Sequence, residues 1–233
     1  MIIASAARIA VSAAILTLAG SCARNMIQTA RTVNEVGTGT YDILELPSSV
    51  KSSSEATVRY LQSLSRRELL ILFCRSRAPS DDLTGIVGEW NGQLLDNNGW
   101  IMTRIGSEFM TNALFSMGKG QWNGKRIHAD GKGVNRFLQN SNDMQSGHGF
   151  DVSVEESKLF GNKSARLDYS GYHHPLSLWK TMEDQVRLLP VGFNEDVLIG
   201  MGCMLWSGGM LNAAPFCLYR CHTDAVENGK ISM

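Results

Sequence analysis

The sequence predicts a mainly β chain: an antiparallel barrel preceded by N-terminal helices, with a helical insertion near residues 100–117. Three observations predict it. Gly is abundant at 23 residues, Pro is scarce at 5, and Trp, Tyr and Phe together make 18 of 233 residues, which suits a turn-rich β domain better than a helix bundle. The motif Gly-x-Trp-Asn-Gly occurs twice, as GEWNG at 88–92 and GQWNG at 120–124. Two late stretches, VLIGMGCM at 197–204 and PFCLY at 215–219, are apolar on both faces. An antiparallel sheet with one wet face has no need of such strands, so a lumen must cover one side and helices or loops the other.

The elements follow in chain order. Residues 1–34 contain no acidic residue, carry Arg8, Arg24 and Arg31, and include the short apolar run IAVSAAILTLAG. This reads as a leader, either for export to a secreted or periplasmic-like compartment or for an organelle such as a plastid or mitochondrion, with a buried or disordered N-terminal helix as the third alternative. The run is too short to span a bilayer, so no stable transmembrane segment is expected after processing. Residues 35–82 read as linker and helical segment. A short helix is expected over 54–61. Ser65 followed by Glu68 before LLILF is a capping-box signature for a second helix, ending before Ala78-Pro79. The barrel domain is placed at 83–222, with 223–233 as a flexible tail.

Within the barrel, LTGIVGEWNGQLL alternates as a strand, with Gly88, Trp90 and Gly92 on one face. Ile101, Ile105, Phe109 and Ala113 recur every four residues, the stripe of the expected helical insertion. Strands are then expected at 120–128, 134–138, 150–155 and 165–170, with a turn at Gly161-Asn162. Residues 176–189 read either as a short helix leading into a strand or as strand throughout. The segments 197–204 and 215–219 form the final hairpin. Centring its turn on Met210 sets Cys203 opposite Cys217, within disulfide range.

A Trp flanked at i−2 and i+2 by Gly can lie flat over its own strand or let another group approach closely. Gly88-Glu89-Trp90 resembles the G-x-W motif that opens the first barrel strand of the lipocalins and their calycin relatives. Asp168-Tyr169-Ser170-Gly171-Tyr172 is similar to that family's T-D-Y-x-x-Y region, with Leu167 where the family has Thr. Arg220 matches the arginine that packs across the first-strand Trp. A class of small-molecule-binding barrels named for a G-x-W-x-G signature also looks similar at both repeats. The resemblance implies structural roles for Gly88, Trp90, Gly92 and Arg220 at a closed barrel end. It also implies a lumen for a small apolar molecule such as a lipid, isoprenoid or pigment. The helical stretch between the first two strands departs from the lipocalin pattern of a loop over the mouth.

No G-x-S-x-G elbow, phosphate-cradling loop or H-E-x-x-H is present. Basic and acidic residues balance at 22 each without a basic run, which excludes nucleic acid as an expected partner. The ligand-facing candidates are Trp122, His148, Asp151, Tyr169, Glu183 and Arg187. His148 and Asp151 are offered as a base and its orienter around Gly149, and an acid at 183–184 with Arg187 as a polar anchor at the cavity mouth. His173 and His174 read as turn residues. Cys217 and Cys221 fall about 13 Å apart on one strand face, too far for one zinc unless the strand bends, so no metal is expected; no cofactor is expected either. Asn162-Lys163-Ser164 is a glycosylation acceptor sequon if the chain is exported. Three functions remain open: binding or carriage of a small apolar molecule, an isomerase, cyclase or lyase using the same cavity, and a structural or interaction protein with a filled core. Oligomeric state is left open.

Overall fold

Eight strands close into one antiparallel barrel, each paired with its neighbour in sequence and β8 with β1. They are β1 (Gly88–Leu94), β2 (Gln121–Ile127), β3 (Lys132–Leu138), β4 (Met144–Glu156), β5 (Lys163–Asp168), β6 (Met182–Leu188), β7 (Val197–Met204) and β8 (Ala214–Tyr219). Three helices precede them: α1 (Ile2–Gly37), α2 (Ser54–Ser63) and α3 (Arg66–Arg75). The structure, a computed structural model, describes residues 2–41, 47–95, 115–116, 118–139 and 143–220, with side chains from residue 19 onward. The expected helical insertion at 100–117 lies outside the described residues, apart from Phe115 and Ser116. A closed eight-stranded antiparallel barrel behind N-terminal helices is consistent with the calycin fold. In such an up-and-down meander the β1–β2, β3–β4, β5–β6 and β7–β8 connections lie at one end, here the upper end.

Local chemistry explains the helices. Ser53 caps α2 by accepting from the Ala56 amide at 3.1 Å. The expected capping box closes α3, with the Ser65 amide donating to Glu68 Oε2 at 2.7 Å. Leu69, Leu70, Leu72 and Phe73 of α3 join Val197, Ile199, Met201, Cys203 and Cys217 in one buried cluster. Leu198, Phe216 and Leu218, the alternate residues of the same two strands, belong to a second cluster inside the barrel. That arrangement is why β7 and β8 are apolar on both faces. The ambiguous segment 176–189 resolves into a 3-10 turn at 178–181 leading into β6, the first of its two readings.

α1 also packs on the domain. Asn25 Nδ2 donates to Asn212 Oδ1 at 3.1 Å, and Arg67 Nη2 to Glu35 Oε2 at 2.7 Å. Thr29 and Thr32 are buried, and Val33 and Val36 pack against the outer cluster. Among the described residues, no helix is long and apolar enough to cross a membrane.

The repeated motif builds the first pairing of the barrel. Trp90 lies opposite Lys125 and Asn91 opposite Gly124, so the two repeats run antiparallel against one another. A Cβ at Gly92 would sit 2.4 Å from the Trp122 ring, so the first repeat's glycine makes room for the second repeat's indole. Gly124 acts differently. It adopts φ 130°, and a Cβ there would lie 2.1 Å from the Trp90 carbonyl oxygen, so only Gly permits this backbone approach. At the lower end the Arg220 guanidinium lies 4.4 Å from the Trp90 ring centroid and donates to the Val87 carbonyl at 2.8 Å. Trp90 Nε1 donates to the Ile86 carbonyl at 2.7 Å.

The final hairpin corrects one expectation. β7 and β8 pair Ile199 with Cys217 and Gly202 with Ala214, centring the reversal on position 208 rather than 210. Gly208 takes φ 112° between 3-10 turns at 205–207 and 209–212, and the chain folds back there. Cys217 therefore faces Ile199 rather than Cys203, Cys203 faces Glu183 on the β6 side, and both cysteines are free buried thiols.

Candidate functional site

Inside the barrel the residues fall into three tiers. The lowest is apolar, with Trp90, Ile127, Phe150, Leu167, Val186, Leu198 and Leu218 in one buried cluster.

Above it lies a charged tier that strict strand alternation hides. The β2–β3 register shifts between Trp122 and Gly124, a bulge. The extra residue restores Lys125, rather than Gly124, to the lumen face that holds Trp122. Lys125 Nζ donates to Asn135 Oδ1 at 2.8 Å and to Tyr169 Oη and Asp184 Oδ2 at 2.7 Å each. All three ammonium protons thus have acceptors. Tyr169 donates to Asp184 Oδ2 at 2.7 Å, and Trp122 Nε1 to Asn135 Oδ1 at 3.1 Å. The rings of Trp122, Phe150, Tyr169 and Phe216 stand 5.2–5.6 Å from the ammonium. Burial lowers the Lys125 pKa, with the Asp184 carboxylate opposing it. Burial and then the same carboxylate push the Tyr169 pKa well up, so the phenol remains a donor.

The upper tier is aromatic and holds two histidines. β3 and β4 pair Val134 with Gly149 and Asn135 with Gly147, leaving His148 unpaired in a second bulge with φ 46°. Bulges re-aim side chains, and this one turns the imidazole onto Phe115, stacked at 4.4 Å. His148 Nε2 lies 2.9 Å from the Phe115 carbonyl. A carbonyl only accepts, so Nε2 carries the proton and Nδ1 does not. Burial chiefly, aided by Lys119, His173 and Lys125, brings the His148 pKa down to about 4. The ring of His173 is 5.0 Å away, and Trp179 and Phe137 stand 5.8 and 5.7 Å from His148. His173 Nε2 is buried and has no hydrogen-bond partner among the described residues. Burial and Lys119 lower its pKa as well.

The structure brings Trp122, Tyr169 and His148 to the interior and places the other candidates elsewhere. Asp151 does not orient His148; it accepts from the Tyr172 hydroxyl at 2.9 Å on an exposed edge. Glu183 and Arg187 share the outer face of β6, while Asp184 between them faces the lumen. Glu183 pairs with Arg166 at 2.9 Å. Arg187 is buried under α3 and donates to the carbonyls of Phe73 at 3.0 Å, Cys74 at 3.3 Å and Asn162 at 3.1 Å, and also to that of Gly161. It closes the C-terminus of α3, and burial lowers its pKa to about 10. Asn162 lies exposed in the β4–β5 turn at φ 55°.

Sequence reasoning missed Lys125, Asn135 and His173. Only the odd glycine spacing could have signalled the bulge that turns Lys125 inward. Nothing local distinguishes His173 from a surface histidine. Comparisons with protein-family models, with curated proteins and with solved structures found no match.

Proposed function

We propose that the barrel binds a small, mainly apolar molecule that enters at the upper end and sets a polar head against His173. The observation that carries this reading is the buried Nε2 of His173, without a partner among the described residues, within the layer of Phe115, Phe137, Trp179 and His148. Buried polar atoms are almost always hydrogen-bonded, and a ligand hydroxyl or carbonyl supplies the missing partner. A mostly aromatic lining with a few placed polar groups is the usual make-up of a small-molecule site. The charged tier below closes the site with a polar floor whose groups satisfy one another, Tyr169 and Asn135 being bonded to Lys125, Asp184, Trp122 and the His148 carbonyl.

A proton-transfer enzyme is the second reading, because the Phe115 carbonyl fixes the His148 tautomer and leaves Nδ1 as a base. A base with a pKa of about 4 is poorly matched to neutral pH, which favours binding over catalysis. Native mass spectrometry of protein from its own source should reveal a co-purifying molecule. Tryptophan-fluorescence titration with long-chain alcohols and ketones should then give affinities that drop about three- to tenfold in His173→Phe, the loss of one hydrogen bond. If no molecule co-purifies and none of the panel perturbs the fluorescence, the reading fails.

A further inference from the structure

Among the described residues, five of the eight exposed large apolar side chains sit on two connections of the barrel, while Val191, on the β6–β7 connection, lies at the other end. On the β5–β6 connection, Tyr172, Leu176 and Leu178 are exposed, Leu176 to 89%. On the β7–β8 connection, Leu205 and Trp206 are 65% and 56% exposed. Both connections belong to the upper end, where the proposed entrance lies. α1 reaches the same edge. Asn212 Nδ2 lies 3.3 Å from Cys22 Sγ, and Asn25 bonds Asn212 in turn. From Cys22 the helix continues back to Ile2, about 30 Å at 1.5 Å per residue. Its residues 9–20, IAVSAAILTLAG, contain no charge.

From this arrangement we propose that the upper end docks on a lipid bilayer, with Leu176, Leu178, Leu205 and Trp206 entering the interface and α1 lying against the same surface. The barrel entrance then opens towards the membrane, and an apolar ligand moves between bilayer and lumen without crossing bulk water. This last point rests on the binding reading above; the docking itself does not. Separate apolar fingers on two loops suit a fluid interface better than the flat complementary face a second copy would need. Trp and Tyr, with an apolar body and a polar tip, are the residues that settle at headgroup level.

Flotation of the full-length chain with phosphatidylcholine vesicles tests it. Wild type should float with the lipid, and bilayers carrying brominated acyl chains should quench part of its tryptophan emission. The combined variant Leu176→Ser, Leu178→Ser, Leu205→Ser, Trp206→Ser should fold normally by circular dichroism, because these side chains are exposed. Its vesicle partitioning should drop at least about tenfold, in keeping with the loss of buried apolar area. Equal partitioning of variant and wild type overturns the proposal, as does a wild type that stays lipid-free. A wild type that elutes as a dimer and becomes monomeric in the variant, without floating, assigns the patch to a second copy and also overturns it. Ligand titration of the variant in vesicle-free buffer reports on the lumen separately, so failure of docking is distinguishable from failure of binding.

Discussion

At the scale of single residues, the charged tier is the costliest feature of the barrel interior. Lys125 and Asp184 are an ion pair with side chains 2% and 3% exposed. Removing one partner strands the other, so Lys125→Met should destabilise the protein by about 3–5 kcal/mol in urea titrations. The double variant Lys125→Met, Asp184→Leu should recover most of that loss, since buried ion pairs are often replaceable by apolar groups. A double variant as unstable as the single one would mean that the pair itself holds the barrel together. The histidines predict a pH effect with a definite sign. His148 sits at about 4 in the folded chain, below its ordinary value of about 6.5, and His173 is lowered in the same direction. The unfolded chain therefore binds more protons in that window. The stability tied to neutral imidazoles is fully present above about pH 6.5 and declines as pH falls towards about 4. Urea midpoints between pH 5 and 7 should fall with acidity in the wild type and flatten in His148→Gln.

At the scale of elements, what the sequence conveyed depended on whether the governing interaction was local. The cap at Ser65 and Glu68, the turn at Gly161-Asn162 and the two-sided β7 and β8 were all readable, because capping, turn geometry and alternation act over a few residues. Both bulges break the alternation at residues of the barrel interior. One turns Lys125 inward past Gly124 and the other turns His148 onto Phe115, and each changes the alternation by one residue. The hairpin register failed for a similar reason: Gly208, not the midpoint at Met210, supplies the left-handed residue where the chain reverses. Arg187 was misplaced because β6 alternation cannot say which face α3 covers. Its role as the closing cation of α3 predicts that Arg187→Met leaves several buried carbonyls unpaired and costs at least about 2 kcal/mol. Ligand affinity in that variant should remain unchanged, because the side chain lies outside the lumen.

At the scale of the whole molecule, the G-x-W motif and Arg220 announced a closed barrel end, and the stacking of Arg220 on Trp90 is the long-range contact that seals it. No comparable signal announced how α1 relates to the barrel. The acid-free run 1–34 that makes up most of it reads as an address, yet residues 22–36 make specific contacts with the domain. The two meet at a definite point along the chain. Processing before Ser21 would leave these contacts in place, whereas processing near residue 34 would remove Asn25 from Asn212 and Thr29 from Arg66, and uncover the groups now packed on Val33 and Val36. A chain beginning at residue 21 should therefore keep the melting temperature of the full chain. A chain beginning at residue 38 should lose it by roughly 5–10 °C, the shift that about 2–3 kcal/mol produces in a domain of this size. Arg66 explains why the loss is partial: its guanidinium keeps the Ala213 carbonyl at 2.6 Å even without Thr29. Differential scanning calorimetry of the two truncations decides between these outcomes. Equal melting temperatures would make α1 a passenger on the barrel, and a gap confined to the shorter chain makes residues 22–36 part of the fold.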